Sequence, residues 1–207
     1  MMDLRRSQWF RSLNCDLGHG WALPIALAVP SVLACGGDPW RSRLQYDRAG
    51  IAAGEWWRLL SGHLVHLGLA HLLLNLAGLA LLWMLFAREY TARQWLIVAI
   101  LGMVAIDAGL WWLQPSVRWY VGASGLLHAA WAAGAWAQLR SRTPGGAAPL
   151  LLLLIKLGYE HFSSRSALIG SIPVVLVAHV YGAVGGVLWP LLSQPLRRAA
   201  GYNRDSH

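Results

Sequence analysis

By its residue type and its surroundings, Ser124 is the best candidate for a nucleophile in this sequence. It stands in G-A-S-G, between Gly122 and Gly125, where an apolar run begins. A serine near a helix N-terminus meets free backbone N–H groups and the positive end of the helix dipole. Flanking glycines let a second chain approach the hydroxyl. The same small residues are typical of close contacts between membrane helices, so the motif alone leaves both interpretations open.

His179 has the type and setting of a general base. Gly182 and Gly186 follow it at +3 and +7, so this helix face is smooth except for one imidazole. A smooth face packs closely against another helix, which would press the imidazole against that partner. A serine is a poor nucleophile until a base takes its proton, and histidine is the usual base. His179 is therefore a candidate partner for Ser124.

His71 and Asn75 form a third polar group, in H-L-L-L-N. A spacing of four places both on one helix face, one turn apart. Such a pair is suited to hydrogen bonding between membrane helices. It is equally suited to donate hydrogen bonds to a developing oxyanion. Taken with Ser124 and His179, it completes the set of groups needed for acyl transfer, provided that three helices bring them together.

The composition indicates that those helices lie in a membrane. Of 207 residues, 57% are hydrophobic and only 13% are charged, and about 20 apolar residues span a bilayer. We predict an all-α membrane protein of six transmembrane helices, with spans at 17–37, 63–86, 94–113, 121–139, 147–162 and 168–192. The long, Trp-rich connection between the first two spans is predicted to fold as a loop in the membrane interface.

The domain organisation follows from these spans. We predict a short cytoplasmic tail at 1–16, a transmembrane domain at 17–192 and a basic cytoplasmic tail at 193–207. Arginine in the short loops favours both termini inside. The net charge of +8 is spread between apolar runs, so we expect a lipid bilayer and no nucleic acid as partner. Cys15 and Cys35 flank the first span and are too far apart for a disulfide.

The chain resembles the rhomboid intramembrane serine proteases over roughly residues 55–192. The resemblance is carried in order by W-W-R-L-L-S-G-H-L-V-H-L-G-L-A-H-L-L-L-N, G-A-S-G and A-H-V-Y-G-A-V-G-G. It implies a rhomboid-like bundle and a Ser124–His179 catalytic dyad without a catalytic Asp. Such a dyad requires neither a cofactor nor a metal. It further implies an oxyanion site made of His71, Asn75 and the Ser124 backbone N–H. Supporting roles are expected for Gly122, Gly125, His128 and Gly182.

More narrowly, the chain looks like a rhombosortase, through its bare six-span core, S-G-L-L-H and K-L-G-Y-E-H. The resemblance implies membrane-anchored substrates with a C-terminal Gly-Gly, hydrophobic and basic tail. It also implies a bacterial inner membrane. The charge bias of the short loops and the outer-half placement of Ser124, His71 and His179 predict cleavage on the periplasmic or outer side. The alternative is a generic rhomboid protease that cleaves other single-span proteins.

His128 departs from the rhomboid pattern, because most rhomboids carry an aromatic residue four positions after the serine. We predict that the His128 ring rests against His179 and holds it toward Ser124. Two alternatives remain open. One is a hydrogen bond, for instance to Asp107, and the other is a packing role between helices.

Three further ionisable residues lie within predicted spans. We expect Asp107 to face the bundle, since a lone carboxylate in lipid is costly, and Lys156 to pair with Glu160, four residues on. A substrate-guiding role is the alternative for that pair. Two remote functions also remain: a haem protein with two histidine ligands, and a proton-coupled transporter using these three residues.

Overall fold

A computed structural model describes residues 29–30, 32–33, 37–142, 145–163 and 175–202. Residues 29–30 and 32–33 are helical. Most of the first predicted span, including Cys15 and Cys35, lies outside the described residues, as does the beginning of the sixth. The predicted N-terminal tail lies outside them too.

The connection between the first two predicted spans is folded, as expected. It contains α1 (Gly37–Leu44), β1 (Tyr46–Asp47), α2 (Arg48–Ala52) and α3 (Arg58–Ser61). The Arg58 guanidinium donates to the carbonyls of Ser42 and Gln45 at 3.0 and 2.9 Å, which ties α3 to the end of α1. The Asp47 carboxylate caps α2 by accepting from the Gly50 N–H at 2.7 Å. These internal bonds give the loop a defined shape beside the helices.

The longer helices follow in chain order. They are α4 (Leu69–Phe86), α5 (Ala92–Ala108), α6 (Ser124–Arg140), α7 (Ala148–Ser163) and α8 (Val177–Tyr202). A 3₁₀ turn (Ala87–Glu89) follows α4, and a π-helical turn (Gly109–Leu113) ends α5. Between α5 and α6, β2 (Trp119–Tyr120) pairs antiparallel with β1, with Tyr46 opposite Tyr120. The sequence did not predict this pairing, because two residues cannot display a strand's alternation.

The helical membrane architecture is confirmed at a coarse level. Two segments, Leu69–Glu89 of 21 residues and Ala92–Leu113 of 22, are long and apolar enough to cross a membrane. Large apolar side chains such as Leu73, Leu81 and Ile155 are exposed, as expected for helices that face lipid. The count of six spans remains a prediction.

Two helix boundaries differ from the predicted ones. The second predicted span began at residue 63, whereas α4 begins at Leu69. Gly68 precedes it with φ 154° and ψ −179°, a backbone conformation open almost only to glycine, so the chain enters the helix from a turn. At the other end of the chain, α8 continues to Tyr202, past the predicted end at 192.

The core is assembled around α6, which contacts α4, α5, α7 and α8. Alanines fill its buried faces, and glycine allows α8 to approach it. A methyl group on Gly182 would overlap the backbone carbonyl of Gly125, and one on Gly186 would overlap that of Ala129. The two helices are therefore packed backbone to backbone, as the smooth face predicted for α8 required.

Candidate active site

Ser124 and His179 meet where α6 and α8 approach each other. Ser124 is the first residue of α6, and His179 lies in the first turn of α8. The Ser124 hydroxyl Oγ is 2.9 Å from His179 Nε2, and both side chains are buried. Gly125, one residue after the serine, and Gly182, three residues after the histidine, touch through their backbones. This close approach of the two helices brings Ser124 and His179 within hydrogen-bond distance.

The turn that leads into α6 fixes where Ser124 begins the helix. The Gly122 N–H donates to the Gly62 carbonyl at 3.0 Å, and the Tyr120 hydroxyl donates to the Gly122 carbonyl at 2.6 Å. Gly122 has φ 115°, and a Cβ there would lie 2.7 Å from His71 Cε1. Only glycine suits both the backbone conformation and the neighbouring ring.

His71 and Asn75 are buried on α4, and the His71 ring lies against this turn. His71 Nδ1 accepts a hydrogen bond from the Leu67 N–H at 3.4 Å, so the proton of the neutral ring is on Nε2. Among the described residues, this Nε2 has no hydrogen-bond partner although it is buried. The Asn75 amide Nδ2 donates to the His71 carbonyl at 3.0 Å. The ring that touches Gly122 therefore carries an unused donor.

His66 packs edge-on against His71, with ring centroids 5.2 Å apart. Burial, followed by the nearby His71, lowers the pKa of His66 to about 4. His66 is therefore neutral at physiological pH and adds no positive charge beside the His71 donor.

A closed set of hydrogen bonds, here called the hydrogen-bonded cycle, extends from Ser124 and His179 to α7. His179 Nδ1 lies 2.8 Å from Glu160 Oε2. The other carboxylate oxygen, Oε1, accepts from Lys156 Nζ at 2.6 Å, and the same ammonium lies 2.9 Å from His128 Nε2. His128 Nδ1 is 2.7 Å from the Ser124 carbonyl oxygen, which closes the cycle.

The surroundings of His128 are clear in the structure. Its ring lies over that of His179, with centroids 4.1 Å apart and planes inclined by 11°, which is the contact predicted from the sequence. The ring also makes hydrogen bonds, as one of the alternatives proposed, but its partners are the Ser124 carbonyl and Lys156. Only the suggested partner, Asp107, is wrong. Asp107 instead lies 3.3 Å from His63 Nε2, largely shielded from solvent. It faces the interior, as expected.

The predicted pairing of Lys156 with Glu160 is present, but the sequence did not predict that this pair lies beside His179. Glu160 has only 2% of its side chain exposed and contacts His179. The rhomboid resemblance implied a dyad without a catalytic Asp, and it did not predict that Glu160 would lie beside His179. One signal was available: an ionisable residue within an apolar span is a functional candidate by default.

Neither a metal nor haem suits these residues. His128, Glu160 and His179 offer ligand atoms within 4.8 Å of one another, but the Lys156 ammonium is already bonded to two of the three. The Lys156 ammonium therefore already supplies the positive charge that a metal ion would bring. The stacked rings of His128 and His179 also leave no room between them for a porphyrin.

A buried serine hydrogen-bonded to a histidine, within a bundle of apolar helices, is the arrangement that a serine hydrolase working inside a membrane would need. A family model described as "Rhomboid domain" matches residues 53–195, more than half of the chain. The "Putative rhomboid protease YdcA" of Bacillus subtilis (strain 168) is 27% identical over 153 residues, covering 74% of this chain and 75% of that protein. The chain belongs to the rhomboid family. It is an intramembrane serine protease that acts on membrane proteins within the bilayer.

Proposed function

We propose that Ser124 is the nucleophile and His179 the general base of this protease. Ser124 Oγ attacks the scissile carbonyl carbon while its proton passes to His179 Nε2. The tetrahedral intermediate collapses, the C–N bond breaks, and His179 returns the proton to the leaving amine. Water, deprotonated by His179, then attacks the acyl-enzyme. The ester C–O bond breaks, and His179 returns the proton to Ser124 Oγ as the acid product leaves. The observation that carries this proposal is the 2.9 Å hydrogen bond between the two side chains.

The oxyanion of each intermediate is proposed to bind beside the Gly122 turn. The unused His71 Nε2–H supports this, because a buried donor without a partner is costly unless a ligand accepts from it. The Ser124 N–H is a second donor, since the first residues of a helix have no intrahelical acceptor. Asn75 is the third, through the N–H of its amide that does not bond to the His71 carbonyl.

The proposed substrates are secreted or surface proteins held in the membrane by a C-terminal Gly-Gly, hydrophobic and basic tail. The rhombosortase-like stretches S-G-L-L-H and K-L-G-Y-E-H support this, and both contribute side chains to the hydrogen-bonded cycle. A generic rhomboid protease acting on other single-span proteins is supported equally by the family match. Co-expression with one reporter of each kind separates the two, because only the first alternative requires the Gly-Gly pair.

The proposed location is the inner membrane of a bacterium, with both termini in the cytoplasm and the site open to the periplasmic or outer side. The distribution of arginine among the short loops supports this orientation. The six-span arrangement within 17–192, flanked by tails, remains part of the proposal.

The proposal is tested by labelling membranes with a fluorophosphonate and by assaying cleavage of both reporters. We expect the wild type to be labelled and Ser124→Ala to be neither labelled nor active while accumulating normally. His179→Ala should be equally inactive, and the double variant little worse than either single one, because the two residues act as a unit. Cleavage by Ser124→Ala would refute the serine-protease mechanism.

A further inference from the structure

Glu160 is a buried carboxylate for which a Ser–His dyad has no use. It lies on α7, a helix that supplies neither the nucleophile nor the base, and it nevertheless bonds to the base. We propose that Glu160 is a positioning residue for His179, so that the machinery is a Ser124–His179–Glu160 triad. This inference rests on the proposed roles of Ser124 and His179.

The first argument concerns the tautomer of His179. A carboxylate can only accept hydrogen bonds, so the ring must carry a proton on Nδ1, the nitrogen 2.8 Å from Glu160 Oε2. The lone pair of the neutral ring is then on Nε2, which faces Ser124 Oγ. Only this tautomer can accept the serine proton. Glu160 therefore selects the form of His179 that acts as a base and orients its ring.

The second argument concerns charge. When His179 takes the serine proton, it becomes an imidazolium in a buried position, with 3% of its side chain exposed. A carboxylate in direct contact stabilises that charge at the moment it appears. The contact already exists in the resting site, so little reorganisation is needed.

Lys156 keeps the carboxylate in place. A lone carboxylate with 2% of its side chain exposed would be costly in this interior, and the ammonium at 2.6 Å neutralises it. Because Lys156 bonds to Glu160 Oε1, the other carboxylate oxygen, Oε2, is left to accept from His179. The ammonium also donates to His128 Nε2, so His128 carries its proton on Nδ1 and donates it to the Ser124 carbonyl. The hydrogen-bonded cycle thus has a consistent donor and acceptor at every contact.

The donor pattern predicts what Glu160→Gln would do. A glutamine has one oxygen and one NH₂, and the Lys156 ammonium can bond only to the oxygen. The NH₂ then faces His179 Nδ1 and forces it to accept, which moves the ring proton to Nε2 and removes the base. The corresponding loss in a serine-protease triad is about 10⁴-fold in kcat, and we expect a fall of that order with KM unchanged.

A pair of double variants separates positioning from mere structural support. Lys156→Met with Glu160→Gln removes both charges and frees the amide oxygen to accept from His179 Nδ1. Lys156→Met with Glu160→Leu removes the same charges and leaves no acceptor. Neither leaves a buried unpaired charge that would endanger folding. We expect the Gln double variant to exceed the Leu double variant in kcat by at least about tenfold, the lower range for one well-placed hydrogen bond to a charged group.

The measurements are kcat and KM for a Gly-Gly-tailed reporter, the rate of fluorophosphonate labelling, and the thermal midpoint, all on purified monodisperse protein. Glu89→Gln, in the 3₁₀ turn that follows α4, is the matched control for loss of a half-buried carboxylate and should retain full activity. Equal kcat in the two double variants, or an unaltered kcat in Glu160→Gln, would overturn the triad. If Ser124→Ala is inactive, either of these results overturns the triad alone and leaves the proposed protease function intact. If Ser124→Ala is active, the serine-protease mechanism itself is refuted.

Discussion

Gly182→Ala tests whether the contact between α6 and α8 sets the catalytic distance. The added methyl carbon would lie 2.8 Å from the Gly125 carbonyl carbon and closer still to its oxygen. Carbon atoms pack at about 3.5–4.0 Å, so the two helices must separate by about 1 Å. Backbone atoms form both sides of this contact, and no side-chain rotation can relieve it.

The separation acts directly on the reacting atoms. Ser124 Oγ and His179 Nε2 are 2.9 Å apart, and an added displacement of about 1 Å takes them beyond hydrogen-bond distance. A misplacement of that size typically costs about 10²-fold in rate. We therefore expect kcat to fall by about 10²-fold or more, with KM little changed. Overpacking should also lower the free energy of unfolding by about 1–3 kcal/mol.

The assay is reporter cleavage per folded molecule, together with the rate of fluorophosphonate labelling. Gly158→Ala is the matched control, because Gly158 also lies within a helix. Among the described residues, and apart from its chain neighbours and its own helix backbone, no atom lies within 4 Å of the added methyl. It should retain wild-type kcat and gain up to about 1 kcal/mol from helix propensity. Wild-type kcat in folded Gly182→Ala would refute the reasoning that glycine packing sets the Ser124–His179 distance.

Three other perturbations test the remaining parts of the site. Asn75→Ala should lower kcat by about 10²–10³-fold, the usual cost of one oxyanion donor; an effect confined to KM would exclude that role. His128→Phe should retain more activity per folded molecule than His128→Leu, because only Phe preserves stacking on His179; equal activities would show that stacking does not contribute. Ser116→Cys, with Cys15 and Cys35 replaced, should react with an impermeant thiol reagent added from outside; labelling only after the inner face is opened would invert the proposed topology.

Much of the site was predictable because helical periodicity determines which residues share a face. The spacing of His179, Gly182 and Gly186 identified a smooth face with one imidazole, and G-A-S-G identified a serine at a helix start. Both features belong to a single helix, so they need no knowledge of its neighbours. The pairing of Lys156 with Glu160, four residues apart, was predictable for the same reason.

The start of α4 and the pairing of β1 with β2 depend on backbone details that composition does not reveal. The apolar run around His66 suggested a helix from residue 63, but the chain turns there and α4 begins only after Gly68. The pairing of β1 with β2 joins residues more than 70 positions apart and involves two residues on each strand. Hydropathy averages over longer windows than either feature.

By itself, the sequence determined the membrane class, the family, and the faces on which Ser124, His71 and His179 lie. Only the tertiary structure decided that Glu160 of α7 contacts His179, and that Lys156 joins it to His128. Periodicity gives the direction of a side chain around its own helix axis. The partner it meets depends on the distance, crossing and rotation of neighbouring helices, which are fixed by close packing along their whole length. A carboxylate four residues after a lysine is a local fact, whereas its contact with His179, 19 residues further along the chain, is a property of the assembled bundle.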